Sequence, residues 1–356
     1  MNLNLTSTIT MPEHRLRREV IQLCQTTGKP ILKLSTKDYL EHNMMHWVNE
    51  FGSAGLVNIE VFNQLQHTIT GWPGGKPDAD DTNRPERAKP FPKRALVFSP
   101  HPDDDVISMG GTIRRLIQQG NEVHIAYETS GNIAVNDEEY DRFMTFLRGY
   151  SQLAHTPPPP ETVPMLAVKA LIRRGEALLA CAYNGIAESH IHFLNMPFYE
   201  SGKIEKRPMT ETDVLIVQEL IARIQPHQIY VAADLADPHG THRKCTDAVL
   251  AAIDEEKQRG AAWLADCRVW MYRGAWDEWN VADIEMCVPM SPEELREKRN
   301  AILKHQSQME SAPFLGNDER LFWQRAEDRN RATAQIYDEL GLACYEAMEA
   351  FVEYHF

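Results

Sequence analysis

Two short polar stretches, far apart in the chain, hold the residues best suited to chemistry. Pro100-His101-Pro102-Asp103-Asp104-Asp105 sets one imidazole beside three carboxylates, and Asp234-Leu235-Ala236-Asp237-Pro238-His239-Gly240-Thr241-His242 sets two imidazoles three residues apart. Catalytic zinc favours three nitrogen or oxygen ligands with a fourth position open to water. His101, Asp104 and His242 supply that count with two neutral imidazoles and one carboxylate. Such a centre keeps net positive charge, and water bound to it drops in pKa to about 7. Asp103 adjoins Asp104 without having to point the same way, so it could stand beside that water as general base. His239 could face the site from the other side, stabilising a tetrahedral oxyanion or protonating a leaving amine. Pro102 and Pro238 stiffen the two loops. Each stretch alone has a plainer explanation: aspartates at a helix start complement its dipole, and two histidines at i and i+3 are often solvated. The pairing of the two argues for a divalent-metal site.

The pairing depends on the elements that carry these loops. Residues 94–99 form a short apolar run that reads as a buried strand, followed by the first loop and a helix over 105–119. Strand 228–233 runs into the second loop, and a helix over 241–257 follows. In open α/β sheets, ligands bind beyond the carboxyl ends of the strands, so both clusters project to one edge. Further strands are expected at 122–128, 190–195 and 267–272, with helices at 136–151, 166–184 and 211–224. This alternation predicts an α/β fold, a mostly parallel sheet with helices on both faces. Gly110 and Gly111 would let the first of these helices pack closely on it.

Before the sheet, helical patterns cover 12–28, 37–51 and 54–70, with a Pro- and Gly-rich linker at 71–93. After it the chain reads as helical: Ser291-Pro292-Glu293-Glu294 has the form of a capping box, and a last helix is expected over about 318–353. The organisation expected is a helical N-terminal appendage with linker, 1–92, and a catalytic domain, 93–356.

The chain of 356 residues is 43% hydrophobic and 25% charged, with formal net charge −14. That acidity disfavours nucleic acid and anionic membranes as partners. No apolar run approaches the ~20 residues that span a bilayer. The N-terminus lacks a signal pattern, and six scattered cysteines without a C-x-x-C pair suit a reducing compartment, so a cytoplasmic protein is expected. The terminal helical regions suggest homo-oligomer contacts.

The first loop, continued by Met109-Gly-Gly-Thr112, resembles the H-P-D-D-E…G-G-T signature of the PIG-L/LmbE-like deacetylases, and His239-Gly-Thr-His242-Arg243 resembles that family's H-P-D-H motif. The resemblance covers about residues 93–273. It implies a Rossmann-like fold and zinc or another divalent ion on His101, Asp104 and His242. It implies Asp103 as base and His239 as oxyanion or acid group, in hydrolysis of the acetamide of an N-acetylglucosamine-type substrate. Arg173-Arg-Gly-Glu176 and Tyr199-Glu-Ser-Gly202 resemble family segments that reach the sugar, which makes Arg173 and Glu200 substrate-binding candidates. A surface ion pair and a plain turn are the alternatives there. Asp105 replaces the family's Glu and Thr241 its Asp. Thr241 motivates a rival reading, a catalytically impaired sugar-binding or regulatory domain. A dinucleotide-binding oxidoreductase would need G-x-G-x-x-G after the first strand, where His-Pro-Asp-Asp-Asp stands instead. The whole chain resembles the C-terminal half of a bacterial glucosamine-6-phosphate deaminase-like fusion protein, with Lys29–Ser35 resembling the join.

Overall fold

The computed structural model describes residues 12–160, 162–234, 240–275, 277–309 and 320–356. Pro12–Thr27 (α1) buries Leu16, Val20, Ile21 and Leu23 along one helical face. The helix expected over 37–51 is two, Thr36–Glu41 (α2) and Met45–Phe51 (α3). The break lies at Asn43, whose φ of 59° is a left-handed conformation that asparagine tolerates and a helix does not. Ala54–Thr68 (α4) begins at Ser53, whose side chain accepts from Leu56 N. Residues 71–93 form no helix or strand.

Among the described residues the sheet has seven strands: Arg94–Ser99 (β1), Glu122–Tyr127 (β2), Ile191–Phe193 (β3), Gln228–Ala232 (β4), Arg268–Tyr272 (β5), Met286–Met290 (β6) and Ala347–Tyr354 (β7). Their order is β3-β2-β1-β4-β5-β7-β6. The first five pair in parallel, and β7 runs antiparallel to both β5 and β6. The helices that follow are Asp104–Gln118 (α5), Asp137–Leu153 (α6), Met165–Asn184 (α7), Glu211–Ile224 (α8), Thr241–Gln258 (α9), Pro292–Ile302 (α10) and Phe322–Glu339 (α11). Side chains alternate across the strands, so Ala95, Val97, Tyr230 and Trp270 pack with α5 and α7. Leu96, Phe98, Ile229 and Val269 share the other core with α8, α9 and the N-terminal helices. The expected mostly parallel α/β sheet is what the chain forms.

The C-terminal region departs from its expected all-helical character. The helix read over 318–353 ends at Glu339, and residues 347–354 are strand β7, inserted between β5 and the unforeseen β6. A buried carboxylate explains the insertion. Helix α5 is kinked at Met109, where φ is −142°. The amides beyond the kink have lost their helical acceptors, and Glu349 of β7 takes them, from Gly111 N at 3.0 Å and Thr112 N at 2.7 Å. Lys298 Nζ of α10 reaches the same carboxylate at 2.7 Å. Gly111 is required there, because a Cβ would overlap Met290 and crowd Glu349.

The chain leaves β1 towards β2 and β3, then crosses back to β4 on the other side of β1. The loops after β1 and β4 therefore adjoin at the switch point of the sheet. Cys24, Cys181, Cys245, Cys267 and Cys287 are buried free thiols, and Cys344 is exposed. No described helix is long and apolar enough to cross a membrane.

Candidate active site

Strand β1 ends at Ser99, whose hydroxyl donates to His101 O at 2.6 Å and accepts from Asp105 N at 3.1 Å, which turns the chain sharply into α5. Asp105, in the place of the family's Glu, accepts from Tyr127 OH at 3.1 Å beneath the loop. Within this turn Asp103 has φ 151° and ψ −25°. That is a strained conformation for a residue with a Cβ, of the kind that persists when surroundings over-determine it.

Three donors converge above the turn. Asp104 Oδ2 lies 3.3 Å from His101 Nδ1 and 3.2 Å from His242 Nε2, and the two ring nitrogens are 3.2 Å apart. Two imidazoles on one ion at ~2.0–2.1 Å would place their nitrogens about 3.3 Å apart, so the donor set fits a small divalent cation. Burial lowers the pKa of His101 and so favours the neutral ring that a metal ligand must be. Burial also opposes ionisation of Asp104, yet the charge and hydrogen bonds of His242 and His101 outweigh it and hold the carboxyl well below its usual range. The geometry brings together three of the residues singled out in the sequence.

Asp103 is also buried, and Arg173 Nη2 lies 3.1 Å from its Oδ1. Burial raises its pKa against the pull of that guanidinium. Arg173 is 1% exposed and also donates to Pro102 O at 2.6 Å. Its described contacts fasten the loop from below, where a surface ion pair or a sugar contact had been the expectation. Gly131, with φ 63°, lets the loop after β2 press on both Pro102 and Arg173, since a Cβ would lie 3.1 and 3.3 Å from their atoms. Glu200 spends both oxygens on Ser130, accepting from its N at 2.7 Å and its Oγ at 3.1 Å. It lines a cleft of about 750 Å³ with Pro102, Asn132, Leu166, Arg174 and Phe193. Thr241 is buried and accepts a hydrogen bond from Lys206. His239, with Asp237 and Trp276, lies outside the described residues. Trp270, Tyr272 and Trp279 are core residues.

Two groups here were not read from the sequence. Glu128, one residue beyond β2, is buried, and Oε1 has no hydrogen-bond partner among the described residues. Burial pushes its pKa up to about 8, with His242 pulling the other way and Asp104 adding to the rise. Its place at a strand's carboxyl end was the signal that could have found it. His305, after α10, is fully buried, and neither ring nitrogen has a partner among the described residues. Burial, helped by the charge of Arg173, pushes it down to about 3, so it is a neutral ring behind the loop.

A family model described as GlcNAc-PI de-N-acetylase (PIG-L) matches residues 96–253. A glucosamine-6-phosphate deaminase-like protein of Bacteroides thetaiotaomicron is 63% identical over 360 residues, covering 95% of this chain and 54% of the relative. The chain thus spans about half the length of that protein. Among solved structures, a conserved protein of Thermus thermophilus aligns over 73% of this chain and 94% of its own at 18% identity, TM-score 0.50. The 4-carboxy-2-hydroxymuconate hydratase GalB of Pseudomonas putida aligns over 74% and 97% at 18% identity, also with TM-score 0.50. These two likenesses show the fold alone. The family match spans both donor loops, and residues 96–253 of this chain are similar to the PIG-L family, whose model is described as GlcNAc-PI de-N-acetylase.

Proposed function

We propose that the chain hydrolyses the acetamide of an N-acetylglucosamine-type substrate with the help of a divalent ion, zinc by its donor set, releasing acetate and a free amine. The observation that carries this reading is the convergence of His101, Asp104 and His242 beside a buried second carboxylate, Asp103, at the switch point of the sheet. The ion, when bound, supplies Lewis acidity, which polarises the acetamide carbonyl and makes water a nucleophile near neutral pH. Asp103 takes the proton of the attacking water and returns it to the departing nitrogen, with Arg173 fixing its orientation. The resemblance assigns His239 the developing oxyanion. Glu200 shapes the Ser130 loop at the rim of the cleft, where a sugar ring would lie against Pro102 and Phe193. Relatives named for amino-sugar chemistry support a small amino-sugar substrate, and free buried thiols support a cytoplasmic location.

The fold alone does not select acetamide hydrolysis, since GalB is a hydratase. Both His-donor loops and a base beside them favour hydrolysis over a binding domain that lost its chemistry. The test is acetate release from a panel of N-acetylglucosamine derivatives, phosphorylated and not, by protein stripped of metal and then reloaded with zinc. Acetate that appears only after reloading supports the reading. A metal-loaded chain that releases none from any derivative refutes it.

A further inference from the structure

A second group of metal-ligand side chains lies at the opposite end of the same strand. Glu122 and His124 are two residues apart on β2, and so share a face of the sheet. His190 and His192 have the same spacing at the start of β3, in the register where Ile125 pairs with Ile191 and Ala126 with His192. Parallel pairing thus sets Glu-x-His beside His-x-His on one face of the sheet's edge. Ligand atoms of Glu122, His124 and His190 all lie within 4.8 Å of one another. His124 Nε2 is 2.8 Å from Glu122 Oε1, and the rings of His124 and His190 have centroids 4.2 Å apart. The other nitrogen of His124, Nδ1, faces His192 Nε2 at 3.1 Å.

We propose that Glu122, His124 and His190 hold a second divalent transition-metal ion of the zinc class, with His192 as the partner that orients His124. A ligating histidine commonly hydrogen-bonds through its other ring nitrogen, which fixes the tautomer. Here His124 Nδ1–H would donate to His192 and leave the Nε2 lone pair for the ion. Burial favours the neutral form of His124 and of His192, the latter pushed down to about 4. Two imidazoles and one carboxylate form a set that suits zinc better than calcium or magnesium. Arg223 and Arg94 add positive charge near these groups, which keeps affinity below that of a carboxylate-rich site.

The ion would act structurally. Strand β3 has three residues and is the outer edge of the sheet. The segment that leaves it carries Tyr199 and Glu200 to the catalytic cleft. An ion joining β2 to the turn before β3 fastens the edge from which that segment departs. Three residues of strand, roughly 10 Å, separate His124 from Tyr127 at the carboxyl end of β2.

The two sites can be told apart without substrate. In the metal-stripped full-length His242→Ala chain, calorimetric titration with Zn2+ is expected to show one equivalent bound with Kd below ~1 µM, and the thermal midpoint should rise on loading. Adding His190→Ala should remove that equivalent and the thermal shift, while Glu122→Gln should weaken binding about tenfold. His190 and Glu122 are partly exposed, so circular dichroism should show both variants folded. The decisive readout is the difference of one equivalent between chains with and without His190, whatever the catalytic triad binds. Unchanged stoichiometry on His190→Ala, or binding seen only far above micromolar zinc, overturns the proposal.

Discussion

Asp103 and His242 belong to one candidate site, yet their replacement should fail in different ways. His242 is one of three converging donors, so His242→Ala should lose the catalytic ion, read as one equivalent fewer by metal analysis. Asp103 pairs with Arg173 and is not among the three converging donors. Asp103→Asn should keep the ion while turnover falls by about 10²–10⁴, the usual worth of a positioned general base. Retained turnover, or lost metal, in that variant would break the assignment. Glu128 permits a sign-specific test in protein held in chelator. The folded chain keeps its proton to about pH 8, whereas an unfolded glutamate releases it near 4.5. Between those values the folded state binds more protons, so this group makes stability fall as pH rises, and the loss is complete above the folded pKa. Glu128→Gln is neutral throughout, so it should gain on the parent between pH 5 and pH 9, on the order of 2 kcal/mol or more by urea unfolding. Parallel losses in both proteins would contradict the burial argument. The triad and Asp103 were legible because chemistry restricts metal ligands to few residue types. Glu128 was not, since a lone glutamate at a strand end carries no spacing signal.

Most elements were legible too, and the exceptions share a cause. Helices α1, α4, α7 and α8 follow from 3.6-residue periodicity, and β1 and β4 from short apolar runs bounded by polar loops. Strand β7 was hidden because Ala-Met-Glu-Ala-Phe-Val-Glu-Tyr mixes helix formers with strand formers, and its propensity does not decide. What decides is tertiary: Glu349 must satisfy the amides that the kink in α5 releases, together with Lys298. Local sequence cannot report a partner more than two hundred residues away. The contact implies a large effect. Glu349→Ala leaves Lys298 buried without its carboxylate and two amides without acceptors, a change that typically destabilises by about 3–5 kcal/mol. Because the kinked helix begins at the loop of the proposed metal site, the same variant should also weaken zinc binding, read by calorimetry below its unfolding temperature. A Glu349→Ala chain as stable as the parent would remove this carboxylate from the account of the C-terminal strand.

At the scale of the molecule, the question is whether the N-terminal helices are an attachment or part of what holds the site. A division at residue 92 was the expectation from composition, and the packing bears on it directly. Val57, Val61 and Leu65 of α4 are fully buried in the same apolar cluster as Leu96, Phe98 and Ile229 of the sheet. Thr70 N donates to Cys287 O at 2.9 Å, so the segment after α4 covers the edge strand β6. Thr68 Oγ1 meets Tyr337 OH of α11 at 2.8 Å, and Ile31 N donates to Leu340 O at 3.0 Å. These contacts tie the helices to β6 and α11, and through Glu349 and Lys298 to the helix that begins at Asp104 of the candidate site. Leu65→Ala, which opens a cavity in this shared core, should cost about 2–5 kcal/mol. In one cooperative unit that loss appears equally in every probe. Helix content by circular dichroism and zinc retained at the candidate triad should then fall together, at one lowered denaturant midpoint. If zinc release keeps the parental midpoint while helix signal is lost earlier, the N-terminal helices unfold alone and the boundary near residue 92 is a thermodynamic one.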